Sequence, residues 1–217
     1  MICIGLIFAF SINLAEAADQ KDGFISSFGS GAIKVRLYAD YFCGPCSRME
    51  PKADPIVNDL VKKSVVNITF IDAPFHKFSS LYTKYFLFIL NEKKNFNYAL
   101  SARSMLFDAA KESQAEREKI EEHLKKKGIK PKPFDPKPID AVTENLIETE
   151  KIEEYLKKRK IKFKPFDVKP VFSVLERFMR EDNIDSTPAC VIEREGKKEV
   201  FKGVDDVLKA LESLKTQ

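Results

Sequence analysis

The fold is decided by the stretch Tyr41-Phe42-Cys43-Gly44-Pro45-Cys46-Ser47-Arg48-Met49-Glu50, which places two cysteines two residues apart. The residues before it, 33–38, alternate branched or aromatic side chains with charged ones, which predicts a half-buried strand. The residues after it, 47–63, carry apolar side chains at helical spacing, and their two prolines fall in the early turns. The sequence therefore predicts a strand, then Cys-x-x-Cys, then a helix that begins at the motif.

The position of the two cysteines predicts different roles for them. Backbone amides at the start of a helix lack intrahelical partners and the helix dipole is positive there, so a thiolate is stabilised. In such motifs the thiol pKa falls from about 8.5 to between about 3.5 and 7.5. We expect Cys43 to be the exposed attacking thiol and Cys46, one turn deeper, to resolve the mixed disulfide. Pro45 suits the first turn, where its missing N–H costs little, and Gly44 lets another chain approach Cys43.

A Cys-x-x-Cys pair is also half of a zinc site, and a purely structural disulfide could join it. Zinc requires a second pair of ligands at similar spacing, but the remaining cysteines and histidines are not paired: Cys3, Cys190, His76 and His123. A disulfide across two residues closes too small a loop to stabilise the fold much. The sequence favours redox chemistry, with no metal and no cofactor beyond the redox-active Cys43–Cys46 disulfide.

The N-terminal residues predict export. Residues 2–12 are nearly all apolar, and Ala15-Glu16-Ala17 supplies small residues at the two positions that a signal peptidase reads. The stretch is too short for a membrane span, which needs about 20 apolar residues. We interpret residues 1–17 as a signal peptide of a periplasmic or otherwise exported protein, with a short membrane anchor as the alternative.

Export changes the oxidation state and the role that we expect for the cysteines. Outside the cytosol thiols are oxidised, so an exposed pair there is usually a stable bond or an exchange catalyst. Without residues 1–17, Cys190 is left over when Cys43 and Cys46 pair. We predict that Cys190 is a buried apolar thiol; a third redox partner and a soft-metal ligand are the alternatives.

Helical sequence separates two regions of strand sequence. With 44% hydrophobic and 32% charged residues, the 217-residue chain can bury one core, or one core with an appended lobe. A second strand is predicted at 65–72, so the strand–helix–strand opening implies a parallel pair. His76 follows this strand and could lie near the motif. Residues 78–90 and 98–107 have wide apolar faces rich in Phe and Tyr, which indicate packed helices.

An internal repeat lies inside the helical region. The run EKIEEHLKK at 118–126 recurs as EKIEEYLKK at 150–158, and both copies continue to Lys-Pro-Phe-Asp and then Lys-Pro. Each copy predicts a short charged helix, a proline-broken connection and a further helix. Two units are too few for a solenoid, so we interpret 118–138 and 150–170 as a tandem duplication. The net charge is +4, but interleaved glutamates favour a solvated face over an acidic partner and give no support for nucleic-acid binding.

The C-terminal region again has sequence patterns typical of strands. Residues 184–193 and 198–201 predict two strands joined by a turn, and 204–214 predict a closing helix. Strand, Cys43-Gly44-Pro45-Cys46 helix, strand, helical insertion, Thr187-Pro188, hairpin and final helix together resemble the thioredoxin superfamily. The large insertion and the signal peptide resemble its exported disulfide-bond protein A branch.

The resemblance covers residues 24–217 and implies an α/β thioredoxin fold, a central mixed β-sheet flanked by helices, with a large all-helical insertion. It implies a thioredoxin-like domain of residues 24–76 and 184–217 and a helical insertion of residues 77–183. It also implies that Pro188 has a cis peptide bond and faces the two sulfurs, and that Thr187 offers backbone groups to an incoming peptide. Gly44 and Pro45 complete this substrate-binding set.

Two features depart from the family pattern. Thioredoxin-like relatives often carry a buried acid six positions before the first cysteine; that position is Leu37 here, and Asp40 is the nearest acid for proton handling. The pair Gly44-Pro45 is that of reducing thioredoxins, whereas the insertion is that of exported oxidants.

The resemblance implies an enzyme, a protein disulfide oxidoreductase that exchanges disulfides with cysteine-containing exported proteins and depends on a membrane redox partner. We expect a reductase or isomerase, because Gly-Pro supplies no donor or charge to stabilise a thiolate further. The alternatives are a disulfide-bond protein A-like oxidase and a binding protein in which Cys43, Cys46 and Cys190 hold Cu(I), which favours thiolates.

Overall fold

The computed structural model describes residues 25–127 and 138–216, with only the backbone of 138–142 described. The expected signal peptide at 1–17, Cys3, and the end of the first repeat copy lie outside the described residues. Among those described, no helix has the length and apolar character needed to cross a bilayer.

A mixed five-stranded sheet forms the centre of the fold. Its strands, in the spatial order β1-β3-β2-β4-β5, are β1 (Ser27–Phe28), β2 (Ile33–Ala39), β3 (Val66–Asp72), β4 (Ala189–Arg194) and β5 (Lys197–Lys202). Strand β2 pairs in parallel with β3 and antiparallel with β4. The predicted parallel pair and C-terminal hairpin are confirmed, while the two-residue β1 was not predicted.

Six helices surround the sheet in the described residues: α1 (Gly44–Lys62), α2 (Ser79–Glu92), α3 (Phe96–Lys126), α4 (Pro138–Lys158), α5 (Lys169–Glu181) and α6 (Val204–Ser213), followed by a 3-10 turn (Leu214–Thr216). Helices α2–α5 all lie between β3 and β4 in sequence, so they form the all-helical insertion. The thioredoxin-like fold with its insertion is therefore as expected.

Strand β2 is buried on both faces, whereas the alternation of its residues predicted a half-buried strand. Val35 and Leu37 belong to the larger core with α1 and α6, and Tyr38 belongs to a second core with Val171 and Leu175 of α5. Because α5 covers the second face, Arg36 is only 8% exposed.

An ion pair compensates for the burial of Arg36. Its Nε lies 2.6 Å from Oδ2 of Asp182, which also accepts from the hydroxyl of Tyr38 at 2.5 Å. Lys198 Nζ lies 3.0 Å from the other oxygen of Asp182. The pKa of Asp182 is lowered, since these donors outweigh the opposing effect of burial.

The repeat copies are not the separate short helices that their sequences predicted. The first copy's charged run is the C-terminal part of the 31-residue α3, and the second forms the C-terminal part of α4. The helices that follow, α4 and α5, begin within one residue of corresponding places, at Pro138 and Lys169. The copies also differ in environment: Ile120 is 59% exposed, but its counterpart Ile152 is 1% exposed.

Candidate functional site

Cys43 occupies the N-cap of α1, so the helix begins directly at the motif as predicted. Its backbone is extended (φ −78°, ψ 110°), and Gly44 and Pro45 open the first turn. The backbone amide of Cys46 donates to Cys43 Sγ at 3.4 Å. An amide of the first turn of the helix therefore points at the sulfur, where a negative charge is favoured.

Cys43 is much less exposed than we expected. The residue is 5% exposed and Cys46 is 0% exposed. The cause is tertiary: Cys43 Sγ contacts the carbonyl oxygen of Thr187 at 3.3 Å, so a loop 144 residues away in sequence covers it. Cys43 still borders an open cavity of about 490 Å³ between α1 and α3, whereas Cys46 does not line it. The order of accessibility, with Cys43 ahead of Cys46, is as predicted.

The two thiols have opposite pKa shifts. A hydrogen bond from the Cys46 thiol, together with one from the Thr187 side chain and one from the Cys46 amide, lowers the pKa of Cys43 to about 6 despite partial burial. The same hydrogen bond, together with burial, raises the pKa of Cys46 well above its usual value. Near neutral pH the dithiol form therefore carries a thiolate at Cys43 and a thiol at Cys46.

The Thr187–Pro188 peptide bond is cis, as the resemblance implied. Strand register explains its position: Ala189 pairs with Tyr38 near the end of β2, so the preceding loop lies beside the residues that lead into the motif. The carbonyl oxygen of Pro188 accepts from the Gly203 amide at 2.9 Å, which ties the loop to the start of α6.

Asp40 is a fully buried carboxylate between β2 and the motif. One oxygen accepts from the Phe42 amide at 2.8 Å and from the Ser79 hydroxyl at 2.6 Å. The other accepts from the amides of Phe75 (2.7 Å) and His76 (3.1 Å) and lies 3.0 Å from Nδ1 of the imidazole. Asp40 thus joins the motif to the β3–α2 loop, and its use in proton handling stays a prediction.

Cys190 and His76 do not join the sulfur pair. Cys190 is fully buried opposite Leu37, and burial raises the pKa of its thiol to about 12, as expected of an apolar thiol. The half-exposed His76 contacts Asp40. Within the described ranges, no three or more His, Cys, Asp or Glu side chains form a group that could hold a metal ion.

A buried charge cluster lies beneath the motif, and sequence reasoning missed it. Arg103 of α3 is fully buried, with Nε 2.7 Å from Oε1 of Glu50 and Nη1 3.0 Å from Oδ1 of Asp72. The Tyr41 hydroxyl donates to the other oxygen of Asp72 at 3.3 Å. Burial raises the pKa of Asp72 to about 6, although Arg103 acts in the opposite direction. The signal available in the sequence for this cluster was Arg103, a charged residue between apolar positions of α3.

Comparison with known proteins agrees with this architecture. A family model described as "Thioredoxin" matches residues 30–212. A periplasmic thioredoxin-like protein from Salmonella enterica serovar Typhimurium has a similar structure, with 18% identity, a TM-score of 0.56, and coverage of 94% of this chain and 98% of that one. The catalytic domain of Proteus mirabilis ScsC has 19% identity, a TM-score of 0.55 and 93% coverage of both chains.

A third similar structure is the thiol-disulfide exchange protein alpha-DsbA2 from Wolbachia pipientis. It has 15% identity and a TM-score of 0.51, and the match covers 94% of this chain and 92% of that one. A search of curated protein sequences gives no match. At these identities the three structures show a shared fold, and the family model spans most of the chain. The chain therefore belongs to the thioredoxin family.

Proposed function

We propose that the chain is an exported thiol-disulfide oxidoreductase that exchanges disulfides with cysteine-containing proteins through Cys43 and Cys46. One observation carries the proposal: the Cys43 sulfur lies at the start of α1 with its pKa lowered to about 6, beside a protonated Cys46. Such a sulfur is a nucleophile at neutral pH, and a second thiol adjacent to it can complete the exchange.

The reaction follows from these protonation states. The Cys43 thiolate attacks one sulfur of a substrate disulfide, forming a Cys43–substrate disulfide and releasing the other substrate sulfur as a thiolate. Cys46 then loses its proton to a base and attacks Cys43, which forms the Cys43–Cys46 disulfide and releases the second substrate thiolate. The substrate disulfide gains two electrons, and the protein dithiol loses two. Oxidation of a substrate dithiol is the reverse sequence.

The surrounding residues are proposed to bind substrate. Gly44 and Pro45 are exposed beside the sulfur, so a substrate chain can approach closely. The carbonyl oxygen of Thr187, the residue before Pro188, is in contact with the sulfur. An extended substrate peptide could form main-chain hydrogen bonds with this loop.

For the direction of electron flow we propose reduction or isomerisation. A lower thiolate pKa stabilises the reduced protein and makes the couple more oxidising. The value of about 6 for Cys43 is closer to thioredoxin, about 7, than to the strong exported oxidant, about 3.5. We expect a potential between about −270 and −180 mV, compared with about −120 mV for that oxidant. A reductase of this kind requires an electron donor, which for an exported protein would be a membrane partner.

An insulin-reduction assay tests the activity, and a glutathione titration tests the direction. We expect turnover by the wild type, none by Cys43→Ser, and retained turnover by Cys190→Ala as the control for loss of a thiol elsewhere. A Cys46→Ala variant should accumulate mixed disulfides on Cys43 that identify the clients. Equal activity in the wild type and Cys43→Ser would contradict the activity. A potential of about −120 mV would assign the oxidase direction instead.

A further inference from the structure

We propose that the groove beside Cys43 selects polypeptides that carry an acidic residue next to the reacting cysteine, and that Arg48 and Lys111 bind its carboxylate. The inference rests on the proposed disulfide exchange and adds a substrate class to it. The groove, its charges and their distance from the sulfur carry the argument.

The groove is the cavity of about 490 Å³ between the start of α1 and one face of α3. One wall is the motif, from Tyr41 to Gly44, with Ser47 and Arg48 on the next turn of α1. The other wall consists of Lys111, Gln114, Ala115 and Glu118, whose spacing places them on one face of α3. A bound segment would therefore lie directly against the Cys43 sulfur.

The part of the groove nearest the sulfur is apolar and fixed in place. The Phe42 ring packs edge-on against Tyr82, with ring centroids 5.0 Å apart, and the Tyr41 ring contacts Phe107 at 4.9 Å. These contacts bind the motif to helices α2 and α3. The groove is thus a preformed surface, which favours binding of an extended chain because little ordering is required.

The charged side chains of the groove that have no partner among the described residues are positive. Arg48 and Lys111 are exposed, and neither makes an ion pair or hydrogen bond with any other residue that the structure describes. Glu118, the groove's carboxylate, accepts from the Gln114 side-chain amide at 3.1 Å. A ligand would therefore meet two unpaired cations and one carboxylate that already has a donor.

Arg48 is close enough to the sulfur to contact a residue that flanks the reacting cysteine of a substrate. A Cβ placed on Gly44 would lie 3.5 Å from Arg48 Nη1, so the guanidinium lies over the residue adjacent to Cys43. An extended chain advances about 3.3–3.6 Å per residue, so the side chain one to three positions from a substrate cysteine reaches Arg48. Arginine binds carboxylates through paired hydrogen bonds, which gives this position its selectivity.

Three peptides provide the test. They share one intramolecular disulfide and differ only in the residues flanking the reacting cysteine: Asp-Asp, Ser-Ser or Lys-Lys. The full chain in the dithiol form reduces each peptide in a single turnover, and each rate is divided by the rate of that peptide with dithiothreitol, which removes differences in intrinsic reactivity. At about 20 mM salt we expect the acidic peptide to react about five-fold faster than the neutral one, falling towards equal rates at about 500 mM.

Matched variants identify the residues responsible. In Arg48→Ala/Lys111→Ala, the ratio of acidic to neutral rates should fall to about one, as expected when exposed ion pairs are removed. Lys52→Ala/Lys119→Ala removes the same charge from exposed positions of the same two helices that do not line the groove, and it should keep the wild-type ratio. Using a ratio also cancels any general change in the reactivity of Cys43.

Failure of the acidic specificity and failure of the exchange activity give different results. If the wild type reduces all three peptides at equal normalised rates, or if both double variants lose the preference equally, the acidic specificity is wrong and the exchange activity stands. If the wild type reduces neither the peptides nor insulin, the proposed function itself is wrong.

Discussion

At the scale of single residues, the chemistry of Cys43 follows from its place at a helix start. The Cys46 amide and thiol both donate to its sulfur, and these bonds lower its pKa to about 6. This part was predictable because its largest cause, the hydrogen bond from the Cys46 thiol, lies within four residues of sequence. The burial of Cys43 was not predictable, since it comes from the Thr187 loop, which the sheet register brings to the motif.

The lowered pKa predicts that the reduced protein becomes more stable as pH rises. A thiol with pKa near 6 in the folded state and about 8.5 in the unfolded state adds stability that is complete above about 8.5 and is lost as pH falls through 6. The free energy of unfolding of the reduced wild type, relative to Cys43→Ala, should increase between pH 5 and 9 by on the order of 1–2 kcal/mol. Urea denaturation with a phosphine reductant measures it, and a difference that is constant with pH would refute the shift.

At the scale of elements, the duplicated segment shows that tertiary contacts decide whether the same sequence is buried or exposed. The two copies share nearly all residues, yet Ile152 and Leu156 are in the core, whereas Ile120 is 59% exposed. Sequence identified the duplication and its helical character, but not the continuous helices that the copies belong to. It could not assign which copy packs, because α4 is placed by contacts with α2 and α3, such as the bond from the Tyr82 hydroxyl to Glu148 at 2.7 Å.

This difference gives a matched pair of substitutions. Ile152→Ala should lower the free energy of unfolding by about 2–5 kcal/mol, because it opens a cavity in the core. Ile120→Ala should change it by less than about 0.5 kcal/mol, because that side chain is largely in water. Urea denaturation of both variants compares the same chemical change in the same local sequence. Equal losses would show that the first copy is buried in solution.

At the scale of the whole molecule, buried charges connect the insertion to the sheet. Arg103 binds Glu50 of α1 and Asp72 of β3, while Asp182 after α5 binds Arg36 of β2. The alternating pattern of β2 predicted a half-buried strand, and this was wrong because α5 covers the second face, where Arg36 is buried. The sequence predicted the sheet except for β1, the motif and the helical insertion, but ion pairs between distant elements leave no local pattern to detect.

Removing Arg103 should destabilise the molecule strongly. Arg103→Met leaves Glu50 and Asp72 buried without their cation, which typically costs about 3–5 kcal/mol. The loss should be smaller at pH 5 than at pH 8, because the raised pKa of Asp72, about 6, lets that carboxyl become neutral at the lower pH. As a control, Arg117→Met removes a partly exposed partner of Glu148 and should cost about 1 kcal/mol. Denaturation midpoints that are unaffected by Arg103→Met would contradict the buried cluster.

The pH dependence of alkylation of the reduced full chain tests the central claim most directly. Iodoacetamide reacts with thiolates, and mass spectrometry identifies which cysteine is modified at each pH between 4 and 9. The structure predicts modification of Cys43 with a midpoint near pH 6, while Cys46 and Cys190 remain protected. A midpoint for Cys43 at about 8.5, the value of an ordinary thiol, or earlier modification of Cys46, would contradict a reactive sulfur at the start of this helix.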